Sequence, residues 1–287
     1  MSDRVLVTGA TGKVGTELLR LLRGRGVEVK AATRRPERAP DDLGSDVEFV
    51  ELDYNATETW DAAVQGAERI FLVAPPFDPR ADERLVSFLD WAVQSGCRHM
   101  VLLSAMGAER EDRMALGRVE QRIQRTGVPW TFLRPNIYMQ NFARGFLSRA
   151  IREQSVFRLP AGAAAVSFID ARDVAAAGAM ALEGERHFGA AYTLTGARAL
   201  THEKAAAIIA AVLGRDVAYL PSGPDELRAL LERRGWPAAQ ADTFLALFGA
   251  IREGERAPVT DDARRILGRE PTDFETFARD YVTAWRT

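Results

Sequence analysis

The chain has 287 residues, 47% hydrophobic and 27% charged, with a net charge of −2. This is an ordinary globular balance, long enough for a sizeable core and for one large domain or two smaller ones. Near-neutral charge argues against a nucleic-acid partner or an anionic membrane surface, and no apolar run reaches the roughly 18 residues of a membrane span.

Residues 4–10, RVLVTGA, start directly as a short apolar strand without the basic and apolar regions of a secretory signal, so a cytoplasmic location is expected. A helical pattern follows at 12–26, with a glycine stop. Strands are predicted at 27–33, VEVKAAT, and at 47–53, VEFVELD, then a short helix at 58–66. RIFLVAPP is a fourth strand ending at prolines, and DERLVSFLDWAVQSG an amphipathic helix. HMVLLSA is a fifth strand, RMALGRVEQRIQRTG a further helix and PWTFLRP a sixth strand. Apolar strands separated by helices predict an α/β fold, a doubly wound parallel sheet of the Rossmann kind.

Beyond Pro135 the pattern changes. A helix is predicted near Met139 to Arg152, strand-like pieces at SVFRLP and AAYTLTG, and helices at 171–184, 202–214, 224–235 and 274–286. The expected organisation is a Rossmann domain over 1–135, with returning segments from the C-terminal half, and a smaller, mostly helical lobe over 136–287. A monomer or homodimer is expected. Cys97 is the sole cysteine, which excludes an intrachain disulfide, and it reads as a packing residue. His99, His187 and His202 lack ligand spacing, so no metal site is expected.

The strongest motif is Gly9, Gly12 and Gly15, G-x-x-G-x-x-G at the first strand–helix junction. The first glycine permits the turn, the second lets backbone approach a diphosphate, and the third allows close helix–strand packing. The helix N-terminus adds oriented N–H groups. An NAD site usually places an acid at the end of the second strand. This chain has Arg34 and Arg35 there, and guanidiniums pair with a 2′-phosphate that an acid would repel. NADP(H) is therefore the expected cofactor; the alternative reading of both arginines is as solvated surface residues. Lys13 adds charge to the loop. Asp53 and Tyr54 follow the third strand where an adenine-contacting turn would lie; Asp53 also reads as a cap or turn residue.

The segments GATGKVG, TRRPE, ELDYN, IFLVAPP, HMVLLSAMGA, TGVPWTFLRPNIYMQNF and FIDARDVAAA occur in the order typical of NmrA-like atypical short-chain dehydrogenase/reductases. The resemblance runs nearly the whole chain. It implies Gly9, Thr11, Gly12, Lys13 and Val14 on the pyrophosphate, Arg34 on the 2′-phosphate and Asp53 near the adenine. It implies Val73, Ala74, Pro75 and Ser104 along the ribose and nicotinamide, and Pro135 to Tyr138 at the border of the substrate pocket. The family includes quinone reductases, triarylmethane-dye reductases, aromatic tailoring enzymes and NADP-sensing regulators.

Classical members use Tyr-x-x-x-Lys as a proton relay. None of Tyr54, Tyr138, Tyr192, Tyr219 and Tyr281 has a lysine four residues later, and the helix after HMVLLSA contains neither lysine nor histidine. Hydride delivery to an isolated ketone leaves a strongly basic alkoxide that calls for a positioned acid. A quinone leaves a phenolate, whose conjugate acid has a pKa of about 10, and needs less help. The expected substrate is thus a quinone-like or planar aromatic small molecule. An aromatic polyketide tailoring step is included, as is an oxygenation, since an electron-rich hydroquinone reacts with O2. The alternative is a non-catalytic NADP(H)-sensing regulator.

Tyr138 is the candidate catalytic residue, or else a packing tyrosine. Asn136, Ile137, Asn141 and Phe142 complete the candidate substrate contacts, with both asparagines also readable as caps. Ser104 touches ribose or satisfies a strand end, and Arg134 reads as an ion-pair partner. Asp170 and Asp173 read as cap and first-turn residues. Trp236, Phe244, Leu247 and Phe248 either roof an aromatic pocket or form a buried stripe.

Overall fold

Short apolar runs become parallel strands with both faces covered. The computed structural model describes residues 4–39, 43, 47–110 and 114–286. Its strands are β1 (Val5–Val7), β2 (Val29–Thr33), β3 (Glu48–Glu51), β4 (Arg69–Val73), β5 (His99–Leu103), β6 (Trp130–Pro135), β7 (Val156–Leu159), β8 (Ala165–Val166), β9 (Ala190–Leu194), β10 (Leu200–Thr201) and β11 (Ala218–Pro221). Its helices are α1 (Lys13–Gly24), α2 (Trp60–Val64), α3 (Ala81–Gln94), α4 (Ala115–Thr126), α5 (Gln140–Ala143), α6 (Gly145–Gln154), α7 (Ala171–Leu182), α8 (His202–Leu213), α9 (Pro224–Arg233), α10 (Ala238–Arg252), α11 (Asp262–Leu267) and α12 (Phe274–Asp280).

The chain divides into two compact units. The first is Met1–Pro75, Arg80–Pro135 and Ala171–Thr193; the second is Pro76–Pro79, Asn136–Asp170 and Leu194–Thr287. The seven-stranded sheet runs in the order β3-β2-β1-β4-β5-β6-β9. Strands β1 to β6 pair in parallel. The chain reverses its direction of travel across the sheet between β1 and β4, and ligands of such sheets bind at the carboxyl ends beside that switch point.

Alternate residues of each strand serve opposite layers. Leu6, Ile70, Leu72 and Leu102 join Trp60, Phe88 and Ile123 under α2, α3 and α4. On the other face, α1 and α7 pack side by side. Gly178 of α7 admits the Phe71 ring, which a Cβ there would meet at 2.8 Å. Cys97 is buried among the first group; its thiol donates to the His99 carbonyl at 3.4 Å, and burial pushes its pKa up to about 12.

The second unit has an aromatic core. Phe142 packs at 5.6, 5.3 and 5.3 Å from Phe157, Phe168 and Phe274, and its carbonyl accepts from Trp285 Nε1 at 2.7 Å. His202 is 2% exposed, with Nδ1 lacking a partner among the described residues; burial lowers its pKa to about 4. The helix expected over Met139 to Arg152 is two helices, because Arg144 is extended and Gly145 has a φ of +74°. β7 pairs in parallel with β11, which lacks a strand signal of its own.

Among the described residues, no helix is long and apolar enough to cross a membrane. No group of three or more His, Cys, Asp or Glu among them is placed to hold a metal ion.

Candidate functional site

The turn after β1 is built from backbone. Gly9 has a φ of +60°, and a Cβ there would meet Val73 Cβ at 2.9 Å. At Gly15 a Cβ would come within 2.3 Å of the Gly9 carbonyl oxygen, and at Gly12 within 3.0 Å of the same oxygen. Gly12 N donates to Gly9 O at 2.9 Å, closing the turn. Gly12 caps α1 with no side-chain hydrogen bond, and the first turn carries no acid. The leading N–H groups of a helix have no intrahelical acceptors and favour an anion. Val14 is buried, so it can meet such an anion only through its amide, whereas Thr11 is exposed.

A hydroxyl pair braces this turn from beneath. The Tyr54 hydroxyl donates to the Val73 carbonyl at 2.9 Å and lies 3.0 Å from Thr8 Oγ1, which accepts from Val73 N at 2.8 Å. Burial pushes the Tyr54 phenol well above its ordinary pKa, outweighing the Thr8 hydrogen bond. Asp53 is partly committed: its Oδ1 accepts from Asn55 N at 2.9 Å and Asn55 Nδ2 at 3.0 Å. Beside this turn a cleft of about 360 Å³ opens, lined in part by Tyr54, Asn55, Arg80 and Arg84.

Arg34 and Arg35 follow β2. Both are exposed, and neither guanidinium meets a carboxylate or carbonyl among the described residues. The turn and its flanks therefore fit a dinucleotide bearing an extra phosphate: a Cβ at its glycines would fill the cradle, the first turn of α1 carries no acid, and among the described residues no carboxylate claims the two guanidiniums.

Farther along the carboxyl edge, β4 and β5 are in register at Val73 and Leu103, and β5 and β6 at Leu103 and Leu133. Ser104 N donates to Leu133 O at 2.8 Å, and the buried Pro135 accepts from Met106 N at 3.0 Å. Ser104 Oγ donates to Glu120 Oε1 at 2.5 Å. Arg134 forks onto the same carboxylate, Nε to Oε1 at 3.0 Å and Nη2 to Oε2 at 2.5 Å. Glu120 is 4% exposed and went unnoticed in the sequence reading. Its signal was there: it shares a face with Val119 and Ile123, a charge inside an apolar helical stripe.

The candidate substrate residues lie in the second unit, in three different situations. Asn136 is buried and its Nδ2 is consumed by Ser167 Oγ and Arg256 O, both at 2.8 Å, while Oδ1 has no partner. Phe142, expected to touch substrate, is 1% exposed in the aromatic core; its ring is enclosed by other phenylalanines. Ile137 packs partly buried against that core, and Asn141 N donates to Tyr138 O at 3.1 Å. Tyr138, a half-buried residue, makes a backbone bridge to Ile169, and its hydroxyl has no hydrogen-bond partner among the described residues. Desolvation raises its pKa above the ordinary tyrosine value, so at neutral pH it is a phenol and hence a hydrogen-bond donor.

Asp170 accepts from Gln140 Nε2 at 2.6 Å and precedes α7, while Asp173 lies in the first turn of that helix. Phe248 is core, but Trp236 and Phe244 are only partly buried, and Phe77 packs against them at 5.9 and 4.9 Å.

Comparison with known proteins gives consistent matches over the whole chain. A (4-alkanoyl-5-oxo-2,5-dihydrofuran-3-yl)methyl phosphate reductase of Streptomyces griseus subsp. griseus is 35% identical over 98% of this chain and 99% of its own length. An NAD(P)H azoreductase of Xenophilus azovorans is 31% identical over 98% and 99%. The structure of Citrobacter sp. triphenylmethane reductase complexed with NADP(H) is similar with a TM-score of 0.81 at 25% identity, covering 99% of each chain. The model of the NmrA-like family matches residues 1–278, and the chain belongs to that family.

Proposed function

We propose that this protein is an NADPH-dependent oxidoreductase that reduces a quinone-like or planar aromatic small molecule. The observation that carries the reading is the pairing of a glycine-built diphosphate cradle with the exposed guanidiniums of Arg34 and Arg35, which no described carboxylate claims. A 2′-phosphate at the end of β2 would gain charge-assisted, bidentate hydrogen bonds that a plain ribose cannot. The similar azoreductase and triphenylmethane reductase support an acceptor with extended conjugation.

When bound, the reduced dinucleotide supplies a hydride. The protein's own groups then hold the diphosphate on α1 and fix the strand ends through the Tyr54–Thr8–Val73 hydrogen bonds. No Tyr-x-x-x-Lys relay is present in the sequence, and the helix that would carry its lysine carries Glu120, ion-paired to Arg134. Acceptors that delocalise the arriving electron pair suit such a site, because their reduced forms are weak bases that take a proton from solvent. Tyr138, a neutral phenol, is the donor that would orient an acceptor carbonyl or azo nitrogen. Where the product is a hydroquinone, its two electrons can reduce O2, one oxygen atom entering the ring to give a hydroxyquinone and the other leaving as water, the net change an oxygenating aromatic polyketide tailoring step requires.

The test is NADPH oxidation against a panel of quinones, azo dyes, triarylmethane dyes and simple ketones. Turnover is expected with the first three and not with the ketones. Tight NADPH binding without turnover on any acceptor would instead describe a sensor, and absence of NADPH binding would remove the cofactor assignment itself.

A further inference from the structure

The Ser104–Glu120–Arg134 cluster has a directional consequence. A serine hydroxyl has one proton. Here that proton is held by Glu120 at 2.5 Å, and Glu120 is held as a carboxylate acceptor by both arms of the Arg134 fork. Ser104 is left with lone pairs only for any other neighbour. Its position follows from the sheet. Gly9 abuts Val73 at the end of β4, Val73 is in register with Leu103, and Ser104 is the next residue. Ser104 therefore lies two strands from β1, roughly 10 Å at ordinary strand spacing. It is on the opposite side of β1 from β2 and Arg34. With the 2′-phosphorylated nucleoside on the β2 side, the other nucleoside of the dinucleotide runs over β4 toward β5.

We propose that Glu120 is a positioning residue, which acts through Ser104 by orienting the serine as a hydrogen-bond acceptor for the hydroxyls of the nicotinamide-side ribose. The inference rests on the NADPH assignment above.

The experiment measures binding of two probes, NADPH and adenosine 2′,5′-bisphosphate, to the full-length protein by calorimetry. The variants are Ser104→Ala, Glu120→Gln and the double variant. Ser104→Ala leaves the Glu120–Arg134 pair in place, so it keeps the test valid if Glu120→Gln fails to fold. Loss of one such hydrogen bond is worth about a threefold to tenfold change in affinity. Each single variant is expected to weaken NADPH by about that factor, with the double no weaker than the weaker single. The adenosine probe, which lacks the second nucleoside, is expected to bind all variants alike. Unchanged NADPH affinity in Ser104→Ala, additive losses, or equal weakening of both probes would overturn the proposal. A wild-type protein that binds neither probe would overturn the cofactor assignment together with it.

Discussion

Arg34 and Arg35 are the residues on which cofactor choice turns. They stand exposed at the end of β2, and no carboxylate among the described residues neutralises them. Hydrogen bonds between charged groups contribute about 1.5–3 kcal/mol, or about tenfold to a hundredfold in affinity. The double variant Arg34→Ala/Arg35→Ala is expected to lose that factor for NADPH and little for NADH, as parallel titrations would register. This preference was readable in the sequence because it depends on residue type at a strand end, a local feature. The role of Glu120 was not. Its meaning depends on which neighbours the fold supplies, Ser104 just past β5 and Arg134 from β6, and neither adjoins it in sequence. Phe142 misled for the opposite reason: an aromatic beside Tyr138 and Asn141 reads as a pocket wall until Phe157, Phe168 and Phe274 are seen around it.

At the scale of elements, two helical glycines should respond oppositely to the same substitution. In α7, a Cβ at Gly178 would meet the Phe71 ring at 2.8 Å. Gly178→Ala must push helix and sheet apart, and overpacking of this kind costs about 1–3 kcal/mol. In α10, a Cβ at Gly249 meets nothing within 4 Å. Gly249→Ala is expected to stabilise by about 0.5–1 kcal/mol through backbone entropy alone. Thermal melts of the two variants would shift in opposite directions. The alternating strands and helices up to β6 were readable because each apolar run is bounded by its own turn residues. The residues of β9 also read as a strand, but their place beside β6 in the main sheet did not, since strand order is a long-range property. The break between α5 and α6 was lost because a conformation such as the φ of +74° at Gly145 leaves no trace in hydrophobic periodicity.

For the whole molecule, acid stability should track a buried imidazole. His202 is lowered by burial to about 4, whereas an unfolded histidine titrates near 6.5. Between those values the unfolded chain binds the extra proton, so stability rises with pH there. The contribution is fully present above about pH 6.5 and is lost as pH falls toward 4, by about 3 kcal/mol for this group. Burial lowers His99 to about 4 as well, so His202→Phe should make that limb shallower without abolishing it in denaturant titrations at successive pH values; an unchanged limb would assign acid sensitivity elsewhere. The solitary cysteine has a different kind of consequence. Quinonoid compounds are electrophiles that arylate thiolates, and only the ionised sulfur attacks them. With Cys97 buried and its ionisation pushed to about pH 12, the chain's one thiol is withheld from such molecules. A reductase built this way can handle soft electrophiles turnover after turnover without thiol adducts accumulating on itself.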